Sequence, residues 1–516
     1  MTLEAPPVGP PIREQIPTAR PSSNKSSQPD PPQPQDHPHH ARRWWILAVL
    51  SIAQLMVVLD TTVVNIALPT AQKALGFSNN DRQWIVTGYA LAFGSLLLIG
   101  GRLADVIGRK RVFLIGLAGF ALASAVGGAA TNFTMLVSAR AVQGVFAALL
   151  APAALSLLTT TFTDRSERNR AFGIYSAIAG AGAALGLLLG GFLTEYASWR
   201  WTMYVNLVFA AAALIGGTLL LQHQLAAKRP RLDWPGTITV SAGLFALVYG
   251  FSHAETAGWG SSVTIGLFVA AGLLLAAFVA LQTRVAHPLL PMRVIVDRNR
   301  GGAFLAMFAA AAGMFGVFLF LTYYLQLTQG YSAVRTGVAF LPMVGLLIVS
   351  SAVVSTTLSS RISPRILMPA GMFIAALGMW ILTGIGVHTS YVSHTLPATM
   401  ILGVGLGAVF AIAMSMATLG VRHDDAGVAS AAVNTVQQVG GSVGTALLNT
   451  LAATAATTFA ASHVGNSAVA ALSAVHSYTV AFTWSAGIFA AGGLLVAVLL
   501  RSGVPQFEDA DTLIAA

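Results

Sequence analysis

The sequence predicts an all-α polytopic membrane protein: two six-helix bundles plus two inserted helices, fourteen transmembrane helices in all. Three observations predict it. Of 516 residues, 55% are hydrophobic and 9% charged, with a mean hydropathy of +0.72, whereas a soluble domain carries about 25% charged residues. Charge-free windows of about 20 residues recur, the length at which a helix crosses a hydrocarbon core of about 30 Å. The basic residues, finally, gather on one side of the spans those windows define.

In chain order the apolar runs between charged or Pro/Gly breaks occupy 44–67, 83–101, 112–130, 134–158, 170–194, 199–221, 235–252, 262–283, 301–325, 335–358, 366–387, 395–417, 428–452 and 478–500. With a cytosolic N-terminus, the outer loops hold only Lys73, Arg82, Arg200 and Arg335, and Arg140 lies inside a span. The rest of the 28 Lys and Arg residues fall on the inner side, as the positive-inside rule requires. The net charge of +10 is thereby a topology signal and not a nucleic-acid footprint. Both termini are expected in the cytosol of a cell-membrane protein.

Residues 1–43 are rich in Pro, Ser, Gln and Asn, lack the apolar core of a signal peptide, and read as a disordered cytosolic tail. His37, His39 and His40 in that tail are three potential metal ligands, but in a Pro-rich floppy segment the expectation is no specific metal site. Residues 44–221 form the first bundle, 222–283 the inserted pair, 284–500 the second bundle and 501–516 a cytosolic C-terminal tail. The division rests on a weak internal repeat. "LADVIGRKRV" from Leu103 follows the second span, and "LSSRISPRIL" from Leu358 follows the tenth, with the acid replaced by Ser360. Both then follow the second helix of a six-helix block, the parallel repeat of proteins whose halves rock about a midplane site.

The absence of cysteine excludes disulfides, thiol catalysis and thiolate metal sites. No Gly-x-x-x-x-Gly-Lys-Ser/Thr loop is present, which argues against an ATP-driven pump, and no nucleophile–base pair suggests an enzyme.

Four stretches carry candidate chemistry. In "MVVLDTTVVNIALP", Asp60 lies near the centre of the first span, slightly toward the outside at about 1.5 Å per residue. A charge there is expensive, so it should face a central cavity. Burial disfavours the charged form of a carboxyl group, which suits one that gains and loses a proton in each cycle. The structural alternative is an Asp hydrogen-bonded to Thr61, Thr62 or Asn65. In "GGRLADVIGRKRV", Gly101 and Gly108 permit a tight turn, and Asp105 stands beside Arg102, Arg109, Lys110 and Arg111. That arrangement is an ion-pair latch for one conformation, or simply a basic loop that fixes topology. In "SARAVQGVFAALLAP", Arg140 costs about 2.5 kcal/mol or more in the bilayer, so it either faces a partner or cavity or snorkels to the interface. Gln143 and Gly144 lie one turn along, on nearly the same face. In the fifth span Gly182, Gly186 and Gly190, followed by Gly191, line one stripe that admits a close helix neighbour: plain packing, or in a rocking transporter the place where two halves seal.

In this order, "LDTTVVNIALP", "GRLADVIGRKR", "RAVQG" and the glycine-rich fifth span resemble the major facilitator superfamily. They are more closely similar to its fourteen-span drug:H+ antiporter family of EmrB/QacA type. "TYYLQLTQGYSAVRTGVAFLPM" from Thr322 and "AGVASAAVNTVQQVGGSVGTAL" from Ala426 resemble that family's later signatures, and the resemblance covers about residues 44 to 500. It implies proton-driven export by alternating access, without a cofactor, with Asp60 and Arg140 as the proton-coupling pair. This chain has Leu187 where the family's fifth-span motif carries proline, and Gln437 where an arginine often stands.

Asp60 is the single acid well placed within the spans, so neutral or monocationic lipophilic substrates are expected rather than dications. Asn65, Gln143, Tyr323, Gln326, Asn434, Gln437 and Gln438 are candidate cavity residues. Alternatives are a dedicated exporter of one natural product, a proton-coupled importer or uniporter suggested by Leu187, and a membrane sensor without flux.

Overall fold

Because a bilayer offers backbone groups no hydrogen-bond partners, a chain this apolar must satisfy them within helices, and the computed structural model is built that way. It describes residues 2, 42–162, 164–222, 233–285, 288–290, 292–359, 361–418, 426–463 and 468–501, with some side chains inside those ranges outside the described set. The helices are α1 (Arg43–Leu75), α2 (Asn79–Ile107), α3 (Arg109–Gly128), α4 (Phe133–Thr161), α5 (Arg165–Tyr196), α6 (Trp201–Leu220), α7 (Trp234–Ala257), α8 (Ser262–Gln282), the single turn α9 (Met292–Ile295), α10 (Arg298–Tyr323), α11 (Ala333–Val353), α12 (Pro364–Leu382), α13 (Leu396–Thr418), α14 (Ala426–Ser462) and α15 (Val469–Leu499).

Among the described residues, thirteen helices are long and apolar enough to cross a membrane. The remaining expected span is α5, a 32-residue helix whose described apolar part is Ala184–Tyr196. Several helices outrun their apolar runs. α1 continues through Pro69 to Leu75, because backbone hydrogen bonding persists beyond the point where side chains cease to be apolar.

Local sequence sets the ends. Ser78 and Asp81 form a reciprocal capping box at the start of α2. Asn132, Asp164, Asp233, Asp297 and Ser332 accept backbone N–H bonds at the starts of α4, α5, α7, α10 and α11, supplying the orphan donors of a first turn. Gly76, at φ +69°, closes α1 with its N–H on Gln72 O. Gly108, at φ +107°, reverses the chain between α2 and α3 in one residue, a conformation glycine alone adopts cheaply. Gly101, expected in that turn, lies within α2 instead.

Packing repeats along the chain. In the first six helices the pairs are α2–α4, α3–α4, α1–α5, α1–α6 and α3–α6. The same pairs recur as α11–α13, α12–α13, α10–α14, α10–α15 and α12–α15. The crossed contacts α2–α14 and α5–α11 are likewise equivalent under this correspondence. α7 and α8 pack on each other, and α7 also lies against α2 and α14. The faint repeat in the sequence is thus carried far more strongly by the packing.

Candidate functional site

Five helices bring polar groups to one point inside the first set. α1 supplies Asp60, which is fully buried, and α4 supplies Arg140, 2% exposed. Arg140 Nη1 donates to Asp60 Oδ2 at 2.5 Å. Gln143, three residues along α4 and on the same face, donates from Nε2 to Asp60 Oδ1 at 3.1 Å and to Ser124 Oγ of α3 at 2.7 Å. Its Oε1 accepts from Arg140 Nη1 at 3.0 Å. Asn206 of α6 donates from Nδ2 to Asp60 Oδ1 at 2.8 Å. From α2, Ile85 O accepts Arg140 Nε at 3.3 Å, and the Tyr89 ring lies 4.4 Å beneath the guanidinium.

The helices come this close because small residues face each other. A Cβ on Gly144 would stand 2.4 Å from Tyr89 O, and one on Gly100 would stand 1.9 Å from Ala148 O, so α2 and α4 touch backbone to backbone. A buried ion pair offsets its desolvation only when the remaining lone pairs and protons are also bonded. Here the carboxylate receives three described donors and Arg140 has four described contacts.

Asp60 therefore does not face a central cavity as expected. Its carboxylate points into the interior of the first set, and the Arg140 side chain is buried rather than snorkelling. Thr61 and Thr62 bond backbone carbonyls of their own helix, not Asp60. Asn206, Ser124 and Tyr89 were not anticipated. An asparagine in the middle of the apolar run "MYVNLVFA" is the signal that marks Asn206, whereas Ser124 and Tyr89 have no distinguishing context.

The glycine stripe of α5 faces α1, within the same set. A Cβ on Gly182 would meet Leu55 at 3.0 Å, one on Gly186 would meet Thr62 Oγ1 at 1.9 Å, and one on Gly190 would meet Val63 Cα at 2.9 Å. Of the two readings of the stripe, the structure has packing within one half and not a seal between halves. That seam is formed by Leu187 and Gly191 against α11, where a Cβ on Gly337 would lie 2.4 Å from Leu187 O and one on Gly191 2.7 Å from Ala333 O. Glu195 Oε2 accepts from Val334 N at 2.9 Å beside it. On the same end of the bundle, that of the α1–α2 turn, Arg82 lies 3.5 Å over the Tyr323 ring, and Gln326 Nε2 donates to Ile66 O at 3.0 Å. Gln326 sits in a widened helical turn, Tyr324–Thr328, that ends α10.

A model described as the Major Facilitator Superfamily matches residues 50–445. The chain belongs to this superfamily. It is 49% identical to the puromycin resistance protein pur8 of Streptomyces alboniger, over 91% of this chain and 93% of that protein. It is 40% identical to the cephamycin export protein CmcT of Amycolatopsis lactamdurans, over 78% and 84%. To the tetracenomycin C resistance and export protein of Streptomyces glaucescens it is 35% identical, over 80% and 76%. Among solved structures, an auto-inhibited POT family peptide transporter superposes with a TM-score of 0.64 at 16% identity, covering 91% of this chain and 99% of that one. A bacterial homologue of the human lysosomal transporter Spinster gives 0.61 at 15%, covering 89% and 97%. These two carry the fold.

Within this major facilitator fold the α2–α3 turn is tied in two directions. Lys110 Nζ donates to Thr218 O at 3.0 Å and to Leu221 O, so the cation sits on the carbonyl end of α6, where the helix dipole favours it. Arg102 Nη2 donates to Pro288 O at 3.0 Å, on the segment that follows α8. Arg109 lies half-buried at the start of α3, and the Asp105 side chain lies outside the described residues. His37, His39 and His40 also lie outside them. Among the described residues no cluster of His, Asp or Glu has the arrangement of a metal site.

The expected cavity residues divide. Gln143 is consumed by the Asp60 network. Tyr323 is buried under Arg82, its hydroxyl without a partner among the described residues. Asn434, Gln437 and Gln438 lie half-buried on α14. Asn65 and Gln438 line a cavity of about 10 Å³ together with Thr61, Tyr89 and Arg140, room for about one water molecule. A drug-sized ligand needs about 300 Å³ or more, so in this conformation that space is closed to substrate.

Proposed function

We propose that this transporter exports antibiotic-like, lipophilic, neutral or monocationic small molecules in exchange for protons, and that Asp60 with Arg140 forms the coupling site. The observation that carries the reading is the fully buried carboxylate bonded to a buried arginine in a membrane bundle, a place where charge is retained only at a cost. Relatives named for resistance to or export of puromycin, cephamycin and tetracenomycin support the substrate class.

The charge asymmetry of the loops supports a cell-membrane protein with both termini in the cytosol and the α2–α3 turn on the cytosolic side. The described contacts at the α1–α2 end then make this the conformation closed to the outside. Residues 44–221 and 284–500 move as two units, with 222–283 as the inserted pair, and the segment from Gly101 to Lys110 holds the cytosolic side in the alternate state. A proton arriving at Asp60 removes its charge and releases Arg140 from its counter-ion, and the altered network favours the exchange of conformations. No cofactor is required. A membrane potential of about 100 mV contributes about 2.3 kcal/mol per net charge moved.

Purified protein in liposomes under an imposed pH gradient tests the reading with puromycin and ethidium as substrates. Gradient-driven accumulation that disappears in Asp60→Asn is expected; equal transport by both proteins would remove Asp60 from the coupling. A second reading, export of one dedicated natural product, is favoured by relatives that are each named for a single antibiotic. Accumulation of puromycin but not ethidium selects it.

A further inference from the structure

Every described partner of the Asp60 carboxylate is a donor. Oδ2 receives Arg140 Nη1, and Oδ1 receives the amide nitrogens of Gln143 and Asn206. This is complete for an ionised acid and wrong for a protonated one, whose new O–H would point at other N–H groups and find no acceptor. Some neighbour must present an oxygen when the proton arrives.

Two amides are within reach, and they are not equivalent. Gln143 Oε1 already accepts from Arg140 Nη1, and Gln143 Nε2 also bonds Ser124 Oγ. Turning that amide would aim its N–H groups at the guanidinium, donor against donor. Asn206 is fully buried, and its Oδ1 has no partner among the described residues. Half a turn about its terminal bond exchanges Nδ2 for Oδ1 beside Asp60 and gives up only the Asp60 bond and a long contact of 3.4 Å to Ser124 Oγ. The remaining groups facing Asp60 offer no substitute. Arg140 of α4 is a cation; Tyr89 of α2 lays its ring under Arg140, and its buried hydroxyl makes no hydrogen bond to Asp60 among the described residues. α3 brings Ser124, already accepting from Gln143. α5 brings Gly186 against Thr62.

We infer that Asn206 is the proton-state adaptor of this site. Its amide donates to Asp60 when the acid is charged and turns to accept from it when the acid is protonated, so the Asp60 carboxyl keeps a complementary partner in both states. Asn206 is thus a positioning residue acting through Asp60. The inference rests on the proposal that Asp60 takes up the proton.

Infrared difference spectra of the full-length protein in liposomes, recorded between low and high pH, separate the two claims. A carboxylic C=O band present in the wild type and absent in Asp60→Asn assigns the proton to Asp60; if Asp60→Asn leaves every such band in place, the coupling proposal falls, and this inference with it. With the band assigned, Asn206→Leu is expected to move it to higher frequency, since the acid loses the acceptor for its O–H. Gradient-driven transport should slow about tenfold, the size of one such hydrogen bond. Asn206→Thr, whose hydroxyl both donates and accepts, should restore most of the rate and return the band toward its original position. If Asn206→Leu leaves the Asp60 band unmoved, the acceptor is another group and the inference is wrong, while the coupling role of Asp60 stands. Should the leucine variant not reach the membrane, Asn206→Ala carries the same comparison.

Discussion

Replacing Asp60 with asparagine removes one charge and leaves the side chain's size unchanged, so its cost is almost purely electrostatic. Arg140, 2% exposed, would then keep its positive charge inside the bundle with no counter-ion. Breaking a buried pair from one side costs about 3–5 kcal/mol. The site's own geometry puts the variant at the lower end. Arg140 retains Gln143 Oε1 at 3.0 Å and Ile85 O at 3.3 Å, and the Tyr89 face 4.4 Å away contributes about 0.5–2 kcal/mol. The expected loss for Asp60→Asn is therefore about 3 kcal/mol. Arg140→Gln leaves the carboxylate with only the neutral donors Gln143 and Asn206 and should cost about the same. In the double variant neither charge remains, so its loss should fall short of the sum by about 2 kcal/mol, within the range of directly coupled pairs. Reversible unfolding in bicelles measures all four corners of the cycle. A single-variant loss below about 1 kcal/mol, or strict additivity, would refute the claim that these two charges meet in a low-dielectric interior.

The glycines separate packing within a half from packing between halves. Gly186→Ala places a methyl 1.9 Å from Thr62 Oγ1 and should lower stability by about 1–3 kcal/mol, as overpacking does; an unchanged unfolding midpoint would contradict the α1–α5 contact. Gly337→Ala places its Cβ 2.4 Å from Leu187 O and penalises only the closed seam. The chain has no cysteine, so Thr61→Cys is a unique label, and its thiol should react at least about fivefold faster when Gly337 is also alanine; equal rates would mean the seam does not gate access. Lys110→Met removes the cation from the carbonyl end of α6 and should cost about 0.3–1 kcal/mol without changing that labelling rate. A changed rate would make Lys110 part of the latch instead of an anchor.

What could be read in the sequence follows from cost. Asp60 and Arg140 stand out because a solitary charge in an apolar run requires a partner, and Gln143 follows by helical spacing. Asn206 and Ser124 complete the same site but are neutral, and a neutral polar side chain in a span is too inexpensive to announce its role. The glycine stripe revealed that some helix comes close without saying which. α1 and α11 are equally plausible neighbours until the chain is folded, and the structure gives the stripe to α1 and leaves Leu187 and Gly191 for α11. Tyr323 and Gln326 looked like ligands for substrate because they are polar within helices, yet their partners are Arg82 and a carbonyl of α1. The fourteen spans were legible because length and apolarity are local properties. The docking of α7 was not, since nothing in its composition names α2 and α14 as neighbours.

That docking has a consequence for the flanks turned to the bilayer. In a two-fold arrangement the slits between α2 and α14 and between α5 and α11 are twins. Here α7 lies across the first, with Thr450 Oγ1 of α14 donating to Phe251 O at 2.9 Å, whereas among the described residues neither α7 nor α8 packs closely on the second. Toward the lipid, then, one flank wears an extra helix as a shutter while the other is closed by the two sets' own contact alone, an asymmetry laid over a scaffold that is otherwise nearly symmetric.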